Sequence, residues 1–430
     1  MNVNKVFFKY VSQNILGMIG ISLYILADTF FIAQAVGANG ITALNLVLPV
    51  YSLIFAIGAM IGVGSTIRFT IAKNRAGENP EGYFGNAIIC AAIISTIFII
   101  IGGVMPDKVV EILGGDGEIV EVGASYTRIF MMFAPMFMWN HICNAFVRND
   151  GAPSVAMAAT LISSLFNIVF DYVLMFPLNM AMEGAALATA LSPVVGILVC
   201  GVHFASKKNT VPIKLVKPSF TRLMRSCQVG ISAFVGEISS GVITVVFNTI
   251  ILGIAGNTGV AAYGVVANIS LVAVAMFNGV SQGSQPLVSE FYGKGDWRNV
   301  RKVLGLAVKT SLVLAVAILA VIYIWTTPIA NIFNSEGDMV LQEYAKEGLK
   351  LYFIGFLFAG INIVGTGVLS AIESAKWAFI ASILRGFVVI ILCAFVLSYL
   401  LQMTGVWLAF PVAELITVVV TSYALVKSTM

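Results

Sequence analysis

Long apolar runs alternate with short polar segments along the whole chain. A helix needs ~20 mainly apolar residues to cross a bilayer. On that measure spans fall at 11–36, 43–71, 83–105, 121–147, 153–177 and 183–205, and again at 225–254, 260–290, 300–326, 340–371, 376–400 and 405–427. The pattern predicts an all-α membrane protein of twelve transmembrane helices. Several runs are longer than a bilayer requires and are expected to tilt or protrude, and Pro135 predicts a bend within 121–147. Met1–Tyr10 is short and polar-basic, and the apolar run behind it is long enough to stay as a span, so no cleavable signal peptide is expected.

Lys and Arg in the short polar segments set the orientation. Lys5, Lys9, Lys73, Arg75, Arg148, Lys207, Lys208, Lys214, Lys217, Arg222, Arg225, Lys294, Arg298, Arg301, Lys302, Lys376 and Lys427 all fall on one side. The opposite loops are short or acidic, as in Asp107–Glu121 and Glu336–Glu343, with Lys108 their one clear basic residue. Both termini are therefore expected to be cytoplasmic, in a multi-pass cell-membrane protein. The basic, proline-broken stretch at 206–224 divides an N-terminal six-helix lobe (1–205) from a C-terminal one (225–430). Sliding the chain by 219 positions lays VGANGITALNLVLPV from Val36 on AGNTGVAAYGVVANI from Ala255, with Gly37 on Gly256 and Gly40 on Gly259. Gly64-Ser65 falls on Gly283-Ser284, and a shift of one residue pairs Gly77 with Gly295. Halves with an even number of spans share one membrane orientation, so two pseudo-symmetric bundles around a central cleft are expected.

Composition narrows the class. Of 430 residues, 59% are hydrophobic and 10% charged, which no soluble domain can accommodate. The five cysteines form no CxxC or Cys/His pattern, so neither a disulfide framework nor a zinc site is indicated. No G-x-x-x-x-G-K-[ST], H-E-x-x-H or G-x-S-x-G with a partner histidine occurs. An enzyme is not expected, nor a cofactor, nor a nucleic-acid partner. Transport would draw on an ion gradient.

Chemistry is concentrated in LISSLFNIVFDYVLMF (161–176), where Asn167 and Asp171 lie four residues apart and so share one helix face. A carboxylate at a bilayer centre costs ~2.5–3.5 kcal/mol on insertion scales, so it needs a partner, a proton or an ion. Asp28 lies about 17 residues into the first span and Asp171 about 18 into the fifth, which is the same depth at ~1.5 Å per residue. Thr189, near the outer end of the sixth span, reaches that level too, with Asn140 on the fourth as a further candidate. Such oxygens suit a small hard cation or a shared proton; the alternative is a structural hydrogen-bond cluster between helices. In the second half Glu237 and Glu414 are the acids inside apolar sequence. They are candidates for a substrate cavity, or for pairing with a neighbour such as Arg385.

Taken in order, ISLYILADTFFIAQAVG (21–37), NRAGENPEGY, NAFVRNDGAP (144–153), YGKGDWRNVR and GVWLAFPVAELI (405–416) resemble the multidrug and toxic-compound extrusion (MATE) transporters. The likeness is strongest to their bacterial DinF- and MepA-like branch. It implies an antiporter exporting amphipathic or cationic organic compounds in exchange for Na⁺ or H⁺ by alternating access. It further implies that Asp28, Asn140, Asn167, Asp171 and Thr189 form the coupling site, with Na⁺ possible at Asp28, Asn167 and Asp171. NorM-like members carry a functional Glu three residues after Glu237, where this chain has Ser240, which favours coupling in the first lobe. A flippase or exporter of a lipid-linked precursor is the alternative within the superfamily. The expected partners are small amphipathic molecules and the lipid bilayer, with the chain a monomer.

Overall fold

Glycine and proline, more than any change in hydropathy, set where the helices of this computed structural model break. The structure describes residues 2–214, 216–332 and 338–429; Glu336, from the acidic loop named above, lies outside them. In chain order the helices are α1 (Val3–Ala35), α2 (Ala38–Asn74), α3 (Tyr83–Val104), α4 (Pro106–Ile112), α5 (Gly117–Met132), α6 (Ala134–Asn149), α7 (Pro153–Met175) and α8 (Ala181–Phe204). There follow α9 (Phe220–Gly293), α10 (Trp297–Ile332), α11 (Met339–Tyr352), α12 (Phe356–Ala371), α13 (Ala375–Ile383) and α14 (Val389–Thr429). Among the described residues, nine helical stretches are long and apolar enough to cross a membrane. Two of these stretches cross twice, α9 turning at Gly256 and α13–α14 turning at Gln402. Helices α5 and α6 together make one broken crossing, because the chain leaves helical geometry at Phe133 and restarts with Pro135 in the first turn. The result is the twelve-span, multi-pass membrane architecture expected.

The sequence repeat is present in the backbone. Gly37 has φ 78°, ψ −154° and its counterpart Gly256 has φ 60°, ψ −156°, a region open only to glycine. One turn later, a Cβ on Gly40 would press on Val36 at 2.6 Å and Ile32 at 3.1 Å; on Gly259 it would press on Ala255 at 2.5 Å and Ile251 at 2.8 Å. The two contacts lie four and eight residues back in both halves. Gly77 and Gly295 also share a left-handed φ, 83° and 71°.

The compact units are not divided at 206–224. One unit, here the N-terminal unit, is Leu16–Ile238 with Gly293–Gly295. The other, the C-terminal unit, is Met1–Ile15, Ser239–Tyr292 and Asp296–Met430. Each half thus lends the start of its first helix to the unit built mainly from the other half. The cause is packing: Val3, Phe7 and Val11 of α1 share a core with Val280, Leu287, Val364 and Val368. Conversely, a Cβ on Gly64 of α2 would run into the Ser226 carbonyl at the start of α9, an approach of backbones that only glycine permits. Hydropathy reports that a helix is buried in a membrane, not which bundle it joins.

The linker is strapped to the N-terminal unit. Asp150, just past α6, accepts hydrogen bonds from the Thr210 backbone N at 2.8 Å, from the Thr210 hydroxyl, from His203 Nε2 at 2.9 Å and from Lys73 Nζ at 3.1 Å. Burial alone would raise its pKa, but the Thr210 hydrogen bonds, then His203 and the charge of Lys73, hold the carboxyl below the ordinary aspartate value.

Candidate functional site

Helix α8 owes its close approach to α7 to small residues. Ala185, Ala186, Ala188 and Ala190 are fully buried, and a Cβ on Gly184 would lie 3.0 Å from the Leu174 backbone. Thr189 sits inside that stretch and faces Asn167 of α7. Helix α1 runs alongside α7 in the same direction. Gly17 meets Thr160, Gly20 meets Leu161, and higher up the rings of Phe31 and Tyr172 are 6.2 Å apart. Between those two contact levels lie Asp28 on α1 and Asp171 on α7.

The four residues grouped by depth in the sequence come together. Asp28 is 8% exposed, Thr189 3%, and Asn167 and Asp171 are wholly buried. The two carboxylates are near enough for their charges to interact. Asn167 bonds to Thr189 at 3.3 Å through its amide nitrogen. Turned over, the amide donates to Asp171 Oδ2 at 3.1 Å and accepts from the Thr189 backbone N at 3.3 Å. The second orientation is the one the surroundings favour, since it leaves no acceptor facing an acceptor. Neither Asp28 nor Asp171 has an ion pair among the described residues, and Oδ1 of each is buried without a hydrogen-bond donor.

Asn140, half-buried on α6, has a buried Oδ1 that likewise lacks a donor. It lies against Gly196 of α8, where any side chain would strike that oxygen. Gly196 is seven residues beyond Thr189, ~10 Å along the helix, so Asn140 occupies a different level from the other four. Glu237, on α9 in the N-terminal unit, is exposed, and its charge reaches Tyr24.

Three tyrosines around the acids were not foreseen. The Tyr24 hydroxyl, one turn before Asp28, is 3.3 Å from that of Tyr51, whose ring stacks on Phe55 at 4.3 Å. Tyr126 of α5 lies against the Thr189 hydroxyl and within the field of both aspartates. Tyr24 had a signal in the sequence, since its i, i+4 spacing to Asp28 matches that of Asn167 to Asp171. Tyr51 and Tyr126 had none.

Glu414, on α14 in the C-terminal unit, is differently placed. It is 2% exposed. Arg385, in a π-helical turn at Leu384–Val388, donates Nε to Oε1 at 2.5 Å, while Asn362 of α12 donates to Oε2 at 2.6 Å. Asn362 also reaches the Glu414 carbonyl at 2.9 Å. The pairing with Arg385 weighed from the sequence is thus the one present, and Glu414 is not a free acid.

Twelve helical crossings in two repeated halves, with uncompensated intramembrane carboxylates on the first and fifth, define a multi-pass transporter fold. Comparison with known proteins agrees. The MatE family model matches residues 14–173 and 233–400, and the chain belongs to that family. The multidrug export protein MepA of Staphylococcus saprophyticus is 27% identical over 399 residues, 92% of this chain and 87% of the relative. MepA of Staphylococcus aureus strain MRSA252 is 28% identical over 397 residues, 91% and 86% of the two chains. Among solved structures, an outward-facing multidrug-resistance MATE family transporter of the MOP superfamily superposes with a TM-score of 0.89 at 21% identity, covering 100% of this chain and 96% of that one. A MOP superfamily transporter from Pyrococcus furiosus gives 0.90 at 22% identity, with 100% and 96% covered.

Proposed function

We propose that this protein is a multidrug efflux antiporter. It exports amphipathic or cationic organic compounds by alternating access, with both termini cytoplasmic. The observation that carries the reading is the pair Asp28 and Asp171: two buried carboxylates in mutual range, each with an oxygen lacking a donor. Two such charges in low dielectric repel, and the pair is satisfied only by a proton or a bound cation. Thr189 adds a hydroxyl oxygen, and Asn167 an amide oxygen once its amide turns over, a hard donor set that suits Na⁺ as well as H⁺. Filling the site would remove the repulsion between α1 and α7. Only such a difference between states can shift a conformational equilibrium, so ion entry and drug release become linked. Glu237, exposed and within range of Tyr24, is the acid proposed to meet a cationic substrate; Glu414, held by Arg385, is not.

The test is transport into or out of vesicles containing the purified protein, with a fluorescent organic cation as the probe and a Na⁺ or a pH gradient imposed separately. One gradient should drive accumulation, and Asp28→Asn and Asp171→Asn should each abolish it while leaving expression and insertion unchanged. Parental rates in both variants would remove the assignment.

A further inference from the structure

The linker does more than join two halves. Between it and the α2–α3 turn lies a cavity of about 340 Å³ lined by Lys214, Lys217, Arg222, Glu81 and Gly82. Beside it is a smaller cavity of about 140 Å³ lined by Phe84, Ile88 and Ile213. Lys214 borders both. The first is polar and basic; the second is apolar, and Ile213 leaves 57% of its surface uncovered.

Both are built rather than incidental. The Ser219 backbone N donates to Asn86 Oδ1 at 2.6 Å, and Asn86 Nδ2 returns a bond to the Ser219 carbonyl at 3.4 Å. Gly85 lets the linker close in, because a Cβ there would collide with the Lys214 carbonyl oxygen. Gly82, at φ 84°, makes room for Arg222, whose guanidinium would be 2.8 Å from a Cβ at that position. The same guanidinium lies over the Tyr83 ring at 5.6 Å. Charge is in surplus. Lys214 is engaged by Glu81 at 3.2 Å, but neither Lys217 nor Arg222 has a carboxylate partner among the described residues.

Location decides what kind of anion belongs there. Tyr83 begins α3, so the basic cavity opens at the membrane boundary and the apolar one continues along the first turn of a membrane span. A topological signal needs only the positive charges; it does not need an apolar groove beginning at one of them. We propose that these two cavities, which share Lys214, together bind one anionic phospholipid. Its phosphate would lie between Lys217 and Arg222, and one acyl chain would lie along Phe84, Ile88 and Ile213. Basic side chains near a surface attract anionic lipid by charge, and the groove supplies the apolar contact that a free phosphate ester lacks. The proposal does not depend on the transport reading.

The experiment uses the full-length protein in neutral detergent, titrated with phosphatidylglycerol, phosphatidylcholine or glycerol phosphate, with bound adducts counted by native mass spectrometry. One phosphatidylglycerol per protein is expected, held about 10-fold or more tightly than phosphatidylcholine. Each cation is worth roughly 5-fold, so Lys217→Gln/Arg222→Gln should weaken phosphatidylglycerol about 25-fold. Ile213→Ser should weaken it without changing any binding of glycerol phosphate. Equal retention of the two lipids, or unchanged affinity in the double variant, overturns the proposal. So does glycerol phosphate binding as tightly as the lipid, which would make this a site for a free phosphate ester. Should the double variant fail to fold by size exclusion, the exposed single change Lys217→Gln decides on the same criteria.

Discussion

Two buried acidic sites lie in the two units, and they solve the same problem in opposite ways. In the C-terminal unit Glu414 has a cation bonded to one oxygen and an amide bonded to the other, so its charge is answered from within the fold. In the N-terminal unit Asp28 and Asp171 have each other and the Asn167 amide, but no cationic side chain among the described residues. A buried pair of opposite charges is a static feature, costly to break and little changed by solution conditions. On the proposed reading, two like charges without a counter-ion make a site whose occupant comes from outside. Intramembrane acids therefore cannot be assigned a coupling role by position in the sequence alone. What separates them is whether the fold supplies the missing charge.

The comparison is broken most directly by transport. Coupling free energies of ~1–3 kcal/mol correspond to roughly 5–150-fold effects, and Asp28→Asn or Asp171→Asn should lose about 100-fold in gradient-driven uptake. The paired change Arg385→Met/Glu414→Gln should stay within about threefold of the parent in the same assay, since it removes a charge and its answer together. If the paired variant fails as completely as the aspartate variants, the distinction between the sites collapses.

Stability inverts the ranking. Arg385→Met alone strands Glu414 with only Asn362, and breaking a buried pair from one side costs ~3–5 kcal/mol. Adding Glu414→Gln should recover most of that loss in thermal unfolding in detergent. The aspartate variants should be no less stable than the parent, because each removes a repulsion rather than an attraction. A destabilised Asp171→Asn would mean that the acids are structural glue between α1 and α7.

The sequence carried the part of this that depends on periodicity along one helix. Helical rise placed Asp28 and Asp171 at one depth, and the Gly20–Leu161 and Phe31–Tyr172 contacts lie on either side of them. The repeat was legible because Gly37 and Gly256 hold a backbone geometry that other residues cannot. What the sequence did not carry depends on neighbours across helices. Tyr126 reaches Thr189 from a different helix, and the start of α1 belongs with Val280 and Leu287 because of packing that hydropathy does not report. The level of Asn140 was not legible for a related reason: the break at Phe133 resets the rise on which a depth count would rely. Gly37→Ala and Gly256→Ala sharpen the symmetry at the level of single residues. Each should cost ~1–3 kcal/mol of stability, by similar amounts, since the strained region is the same. A cost at one position alone would show that the repeat is not energetically equivalent.

The smallest effect concerns a third acid, whose charge is answered outside the membrane span. Asp150 collects donors from Thr210, His203 and Lys73, so the folded state holds its pKa below the unfolded value of about 3.9. A depressed folded pKa contributes stability that is present above the unfolded value and lost as pH falls through the folded one. Asp150→Asn should cost about 1–2 kcal/mol at neutral pH, the scale of hydrogen bonds to a charged group. The gap to the parent should close as the pH is taken below 4, because the parent then loses the same interaction by protonation. Melting temperatures of both proteins from pH 7 down to pH 3 test this. A gap that stays constant would mean that the Asp150 strap holds the linker through shape and neutral hydrogen bonds, leaving Glu414 as the clearer case of an acid whose charge the fold itself answers.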